Sequence, residues 1–188
     1  MIKGVIFDCF GVLYRGAFQT LIDLAPDDLK SSIHDLHRAK DRGYITFDEF
    51  LSQVGDSIGK SAQEVRAIID KQQVLNAELM DYMANLRRSK KVALLSNIDE
   101  STYQVMFGSK SEDLFDAAVL SFSEGIAKPD PQIFITTAER LGLRAEECIM
   151  VDDLPDNCSG AEAVGMRSVL HVDNASTIRK VNEMIEVH

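Results

Sequence analysis

The stretch VIFDCFGVLY, residues 5–14, decides how the rest of the chain is read. A short apolar run, Val5-Ile6-Phe7, delivers Asp8, and Gly11 follows three residues on. Such a run bounded by a glycine turn predicts a buried strand with a carboxylate displayed at its end. Cys9 alternates with Asp8, so in a strand it points to the opposite face and behaves as a small buried hydrophobe. Phe10 occupies the second position after Asp8, where a proton donor would be useful to a reactive carboxylate.

Four further runs rich in Val, Ile and Leu share this texture: residues 2–9 are echoed at 91–96, 117–121, 148–152 and 168–172. Short, continuously apolar runs suit strands covered on both faces, as in a parallel sheet. Amphipathic segments of helical length, including 131–142 and 156–165, lie between most of them, which predicts an α/β sheet with helical crossovers. The stretch from about 15 to 88 differs. It reads as successive helices with no convincing strand, and Thr46-Phe47-Asp48-Glu49 and Ser61-Ala62-Gln63-Glu64 both match the capping-box pattern of a helix start. A helical block inserted after the first strand is placed to cover that strand's end, or simply to add core. His34 and His37, three apart in this block, lack a carboxylate or thiol in register and are read as surface or boundary residues.

The totals narrow the function. A chain of 188 residues holds one core domain with room for a small lobe. The formal net charge of −10 argues against general affinity for nucleic acid or anionic membranes. No targeting signal or membrane-spanning run is recognised. Three cysteines without metal-like spacing point to a reduced cytoplasm. Oligomeric state is left open.

The polar groups then fall in a pattern. GVIFD delivers Asp8, VALLSN delivers Ser96 and Asn97, CIMVDD delivers Asp152 and Asp153, and AAVLSF leads through SEGIAKPDP to Lys128. In a parallel α/β sheet the carboxyl ends of all strands share one edge, and ligands bind in the crevice outside it. Three carboxylates converging on a single lysine repel one another unless a cation joins them. Mg²⁺, an oxygen-seeking ion held by one or two carboxylates with waters and phosphate, fits that demand. Lys128 and the Ser96 hydroxyl are then suited to phosphoryl oxygens, and Asp8 to attack on phosphorus.

In this order the motifs resemble those of the haloacid dehalogenase-like (HAD) hydrolase superfamily. FDCFGVL resembles the first motif, LLSN the second, GIAKPDPQIF the third and MVDDLPDNCSGAEAVGM the fourth, over residues 1 to about 172. The resemblance implies a Rossmann-like, three-layer α/β core formed by residues 1–14 and 89–188, with a helical cap at 15–88. It implies that Asp8 is nucleophile and metal ligand, that the Phe10 carbonyl binds Mg²⁺, and that Ser96 and Lys128 contact phosphate with Asn97 as neighbour. Asp153 matches the principal metal ligand of the fourth motif, Asp152 a supporting acid, and Asn157 a residue able to orient Asp153 from behind.

One position departs. Phosphatases of the superfamily usually carry a second aspartate where this chain has Phe10, and that group protonates the leaving oxygen and then activates water. Three readings follow. The leading one is a Mg²⁺-dependent phosphohydrolase of a small phosphorylated metabolite, slow or dependent on good leaving groups. A second is a metal-independent 2-haloacid dehalogenase, whose branch has an aromatic at this position; Arg15 is then a contributor by position. The third is a phosphate-binding regulatory protein with little turnover.

Overall fold

The computed structural model describes residues 1–41, 44–72 and 74–186. In chain order the elements are β1 (Gly4–Phe7), β2 (Tyr14–Arg15), α1 (Ala17–Leu24), α2 (Lys30–Asp41), α3 (Phe47–Ile58) and α4 (Ala62–Gln72). There follow β3 (Val74–Leu75), α5 (Ala77–Leu86), β4 (Lys91–Ser96), α6 (Glu100–Met106), α7 (Ser111–Leu114) and β5 (Ala117–Leu120). The remainder is α8 (Ser121–Glu124), α9 (Pro131–Arg140), β6 (Cys148–Asp152), α10 (Pro155–Ala163), β7 (Arg167–Leu170) and α11 (Asn174–Glu186). These elements form two compact units, one of Met1–Leu13 with Asn76–His188 and one of Tyr14–Leu75.

The larger unit is built on a five-stranded sheet of order β5-β4-β1-β6-β7, parallel at every pairing. β1, β4 and β6 carry continuous apolar runs because they are buried on both faces, while the edge strands β5 and β7 are only partly buried. Alternate residues divide between the two sides. Ile6, Ala93, Leu95, Val119, Cys148 and Met150 pack with Ile133, Phe134 and Ala138 of α9 and Ala161 of α10. Their neighbours Val5, Phe7, Val92, Leu94, Ile149 and Val151 are equally buried and serve the other face, with Leu79 and Met83 of α5 and Val181 of α11 also in the core. The result is a Rossmann-like α/β fold with β1 at its centre.

The expected boundary at residue 88 falls instead between Leu75 and Asn76. The reason is tertiary. Buried Asn76 donates its backbone N–H to Leu13 O at 2.8 Å and its Nδ2 to Val12 O at 2.8 Å. It also exchanges two 2.9 Å amide hydrogen bonds with Asn174. α5, which it caps through Leu79 N–H, therefore belongs with the sheet.

The smaller unit holds α1–α4 around Leu21, Ile33, Phe50, Val54 and Val65. Both capping boxes form. Thr46 Oγ1 accepts from Glu49 N–H while Glu49 Oε2 accepts from Thr46 N–H, and Ser61 and Glu64 repeat the arrangement. A short antiparallel pair, β2 with β3, also occurs in this stretch, where no strand was expected. His34 and His37 meet the Phe18 ring, with centroids at 5.1 and 4.0 Å. The Arg15 side chain and His188 lie outside the described residues. Among the described residues no helix is long and apolar enough to cross a membrane.

Candidate active site

All the predicted site residues belong to the larger unit, and topology explains their meeting. Asp8 follows β1, Ser96 ends β4 and Asp152 ends β6, so three adjacent parallel strands present them at one edge. The Asp8 N–H donates to Val151 O at 2.9 Å, which extends the β1–β6 ladder to Asp8 itself. Lys128 comes from the connection between α8 and α9, whose start is fixed by Asp130 accepting from Gln132 N–H and by Pro131 in the first turn.

Lys128 is buried to 1% exposure, and its Nζ lies 2.7 Å from Asp8 Oδ1 and 2.6 Å from Asp152 Oδ2. Burial by itself favours the neutral amine, but Asp152 and Asp8 more than offset it and raise the Lys128 pKa. The lysine therefore stays cationic. Asp8 is pushed well above the ordinary carboxylate range by burial; Lys128 opposes that push, and Asp152 and Asp153 reinforce it. Its Oδ1 also accepts the Cys9 N–H at 2.6 Å.

Asp152 is saturated by donors. Oδ2 takes Lys128, while Oδ1 accepts Leu154 N–H and Asn157 Nδ2, each at 2.9 Å. Asn157 thus orients Asp152, not Asp153 as its position suggested. Asp153 is less buried and lies against Gly11, where an added Cβ would fall 2.0 Å from Asp153 Oδ2 and where φ is +82°. Glycine at this turn lets the first and fourth motifs approach closely. One oxygen each from Asp8, Asp152 and Asp153 lies within 4.8 Å of the others. Three carboxylates around one lysine leave an excess of negative charge in a buried place, which fits a divalent cation such as Mg²⁺.

Ser96 Oγ is fully buried and has no hydrogen-bond partner among the described residues. The Cys9 thiol beside it offers only a weak sulfur contact, and burial, then Asp8, raise that thiol's pKa so that it stays protonated. An unpaired buried hydroxyl at the strand edge is suited to an oxygen-bearing ligand. Asn97 turns its amide to the backbone of Lys128, a contact that sequence spacing does not reveal.

A carboxylate, a hydroxyl, a buried lysine and an acidic pair thus meet at the carboxyl edge of a Rossmann-like parallel sheet. The haloacid dehalogenase-like hydrolase family model matches residues 2–165, and the chain belongs to that family. It is 28% identical to the sesquiterpene phosphatase astK of Aspergillus oryzae, over 97% of this chain and 96% of that protein. It is 27% identical to a D-ribitol-5-phosphate phosphatase of Bacteroides thetaiotaomicron, over 89% and 91% of the two chains. Its fold is similar to that of a HAD family enzyme from Bacteroides thetaiotaomicron in complex with magnesium and inorganic phosphate, with a TM-score of 0.63, 24% identity and coverage of 90% and 93%.

Proposed function

We propose that the chain is a Mg²⁺-dependent phosphohydrolase of a small phosphorylated metabolite, working through an aspartyl-phosphate on Asp8. The observation that carries this reading is the convergence of Asp8, Asp152 and Asp153 on the buried Lys128 beside the unpaired Ser96 hydroxyl. The phosphatase names of two relatives covered nearly end to end support it.

Asp8 Oδ2 attacks phosphorus and the bond to the leaving oxygen breaks, its electron pair departing with the leaving group. Ser96 Oγ and Lys128 Nζ hold phosphoryl oxygens, the lysine being kept charged and aimed by Asp152. Asp8, Asp153 and the Phe10 carbonyl, with Asp152 in support, would hold Mg²⁺, which would supply positive charge to the transferring group. Water then cleaves the aspartyl-phosphate, restoring the Asp8 carboxylate and releasing dihydrogen phosphate. Phe10 can neither protonate the leaving oxygen nor activate that water. The reading therefore favours leaving groups that depart as stable anions, such as acyl and aryl phosphates.

The test is phosphate release from p-nitrophenyl phosphate, acetyl phosphate and a panel of sugar phosphates, with Mg²⁺ and with EDTA. Mg²⁺-stimulated release from at least one activated substrate is expected. Phe10 also favours a second reading, because the dehalogenase branch that the sequence resembles carries an aromatic there. Halide release from a 2-haloacid that persists in EDTA, with no phosphate release from the panel, would replace the first reading with that one.

A further inference from the structure

We propose that Asn97 is a positioning residue for Lys128, acting through the lysine's main chain and not as a substrate ligand. This rests on the assignment of Lys128 to phosphate above. Asn97 directly follows Ser96, the last residue of β4, and is half-buried. Its Nδ2 donates to Lys128 O at 3.0 Å, and its Oδ1 accepts from Lys128 N–H at 2.9 Å. One side-chain amide thus satisfies both backbone groups of a residue 31 positions away, as a neighbouring strand would.

Lys128 needs that support. It lies in the irregular segment between Glu124, which ends α8, and Pro131, which starts α9, where neither a ladder nor a helix fixes its main chain. A lysine side chain has four flexible carbons, so two carboxylates at its tip restrain the ammonium but not the base of the chain. Asn97 fixes the base. On the other side of the same segment Gly160 of α10 leaves no room for a side chain, because a Cβ there would fall 2.7 Å from Pro129 O and 2.8 Å from the Phe134 ring. The segment is gripped between the end of β4 and the body of α10. A displacement of about 1 Å at a group that contacts a reacting phosphoryl can cost on the order of a hundredfold in rate.

Two measurements decide the matter. Amide hydrogen exchange tests the clamp independently of any activity: the Lys128 amide should be protected in the wild type and exposed in Asn97→Ala. In Asn97→Asp, which keeps the acceptor but sets a carboxylate against Lys128 O, protection should fall only in part. Binding of inorganic phosphate in MgCl₂, followed by calorimetry, tests its use. Asn97→Ala should weaken phosphate by roughly tenfold or more, by analogy with outer-shell partners at metal sites. In a Lys128→Met background the same change should cost little, because the group it positions is gone. An equal Asn97→Ala penalty in both backgrounds, or unchanged Lys128 exchange, would overturn this proposal alone. Failure of the wild type to bind phosphate would overturn the functional reading together with it.

Discussion

Lys128 and Asp152 form an ion pair at 2.6 Å in which one partner is 1% and the other 0% exposed, and the remaining oxygen of Asp152 is taken by Asn157 and Leu154. Such a pair contributes little net stability while it is intact, since each charge has been removed from water, but removing one partner strands the other. Lys128→Met should therefore abolish phosphate release and also lower unfolding free energy at neutral pH by about 3–5 kcal/mol. Urea denaturation measures the second effect. A loss below about 1 kcal/mol would show that Asp8 and Asp152 are relieved by some other means, such as proton uptake.

Phe10→Asp addresses the proton problem. With a carboxyl group two residues after Asp8, turnover of poor leaving groups such as sugar phosphates should rise relative to p-nitrophenyl phosphate, within the range of about 10²–10⁴ typical of general acid catalysis. The ratio of the two kcat/KM values is the readout. An unchanged ratio would mean that protonation does not limit the reaction.

The contact of Asp153 with Gly11 can be broken from either side. Asp153→Asn should raise the Mg²⁺ concentration needed for half-maximal activity, because a charged oxygen ligand becomes neutral. Gly11→Ala should act similarly, since its methyl group would occupy the space of the Asp153 carboxylate and its φ of +82° disfavours any side chain. Should Mg²⁺ titrations of both variants superimpose on the wild type, Asp153 is not a ligand.

Far from the site, Glu147 is paired with Lys3 at 2.6 Å and accepts the Arg144 N–H, which together hold its carboxyl at about 2, below its ordinary 4.5. A depressed folded-state pKa contributes stability above the unfolded value and loses it as pH falls through the folded value. Glu147→Gln should thus narrow the stability gap between neutral and acid pH, the difference appearing between about pH 4.5 and 2 in thermal melts. Parallel pH profiles for wild type and variant would remove Glu147 from the account of acid stability.

The sheet was legible because a strand buried on both faces needs an unbroken apolar run, which β1, β4 and β6 supply, and because the partly buried edge strands β5 and β7 still carry short apolar runs. The convergence of Asp8, Ser96 and Asp152 was legible for the same reason, since parallel topology sends strand ends to one edge, and Lys128 joins them from the connection between α8 and α9. What escaped was decided by contacts distant in sequence. Residues 76–86 read as one more helix of the inserted block, yet Leu79, Met83 and Leu86 are buried and Asn76 bonds to Asn174. β2 and β3, two residues each, are too short for an alternating pattern. Whether Asn157 serves Asp152 or Asp153 depends on which way two adjacent side chains turn, and spacing is silent on that. The amide of Asn97 reaches Lys128 across a connection whose path no periodicity describes.

The central place of β1 carries a consequence for how the protein is made. Its register partners begin at Lys91 on one side and at Cys148 on the other, so the strand translated before the rest of the sheet waits through most of the chain before both its edges are paired. The smaller unit, with its own core, can close while β1 still waits. Sheets assembled from such distant partners form slowly, because a long loop must be closed before any pairing compensates for it. Asp8 thus leaves the ribosome long before Asp152 and Asp153, the two carboxylates that meet it at the sheet edge.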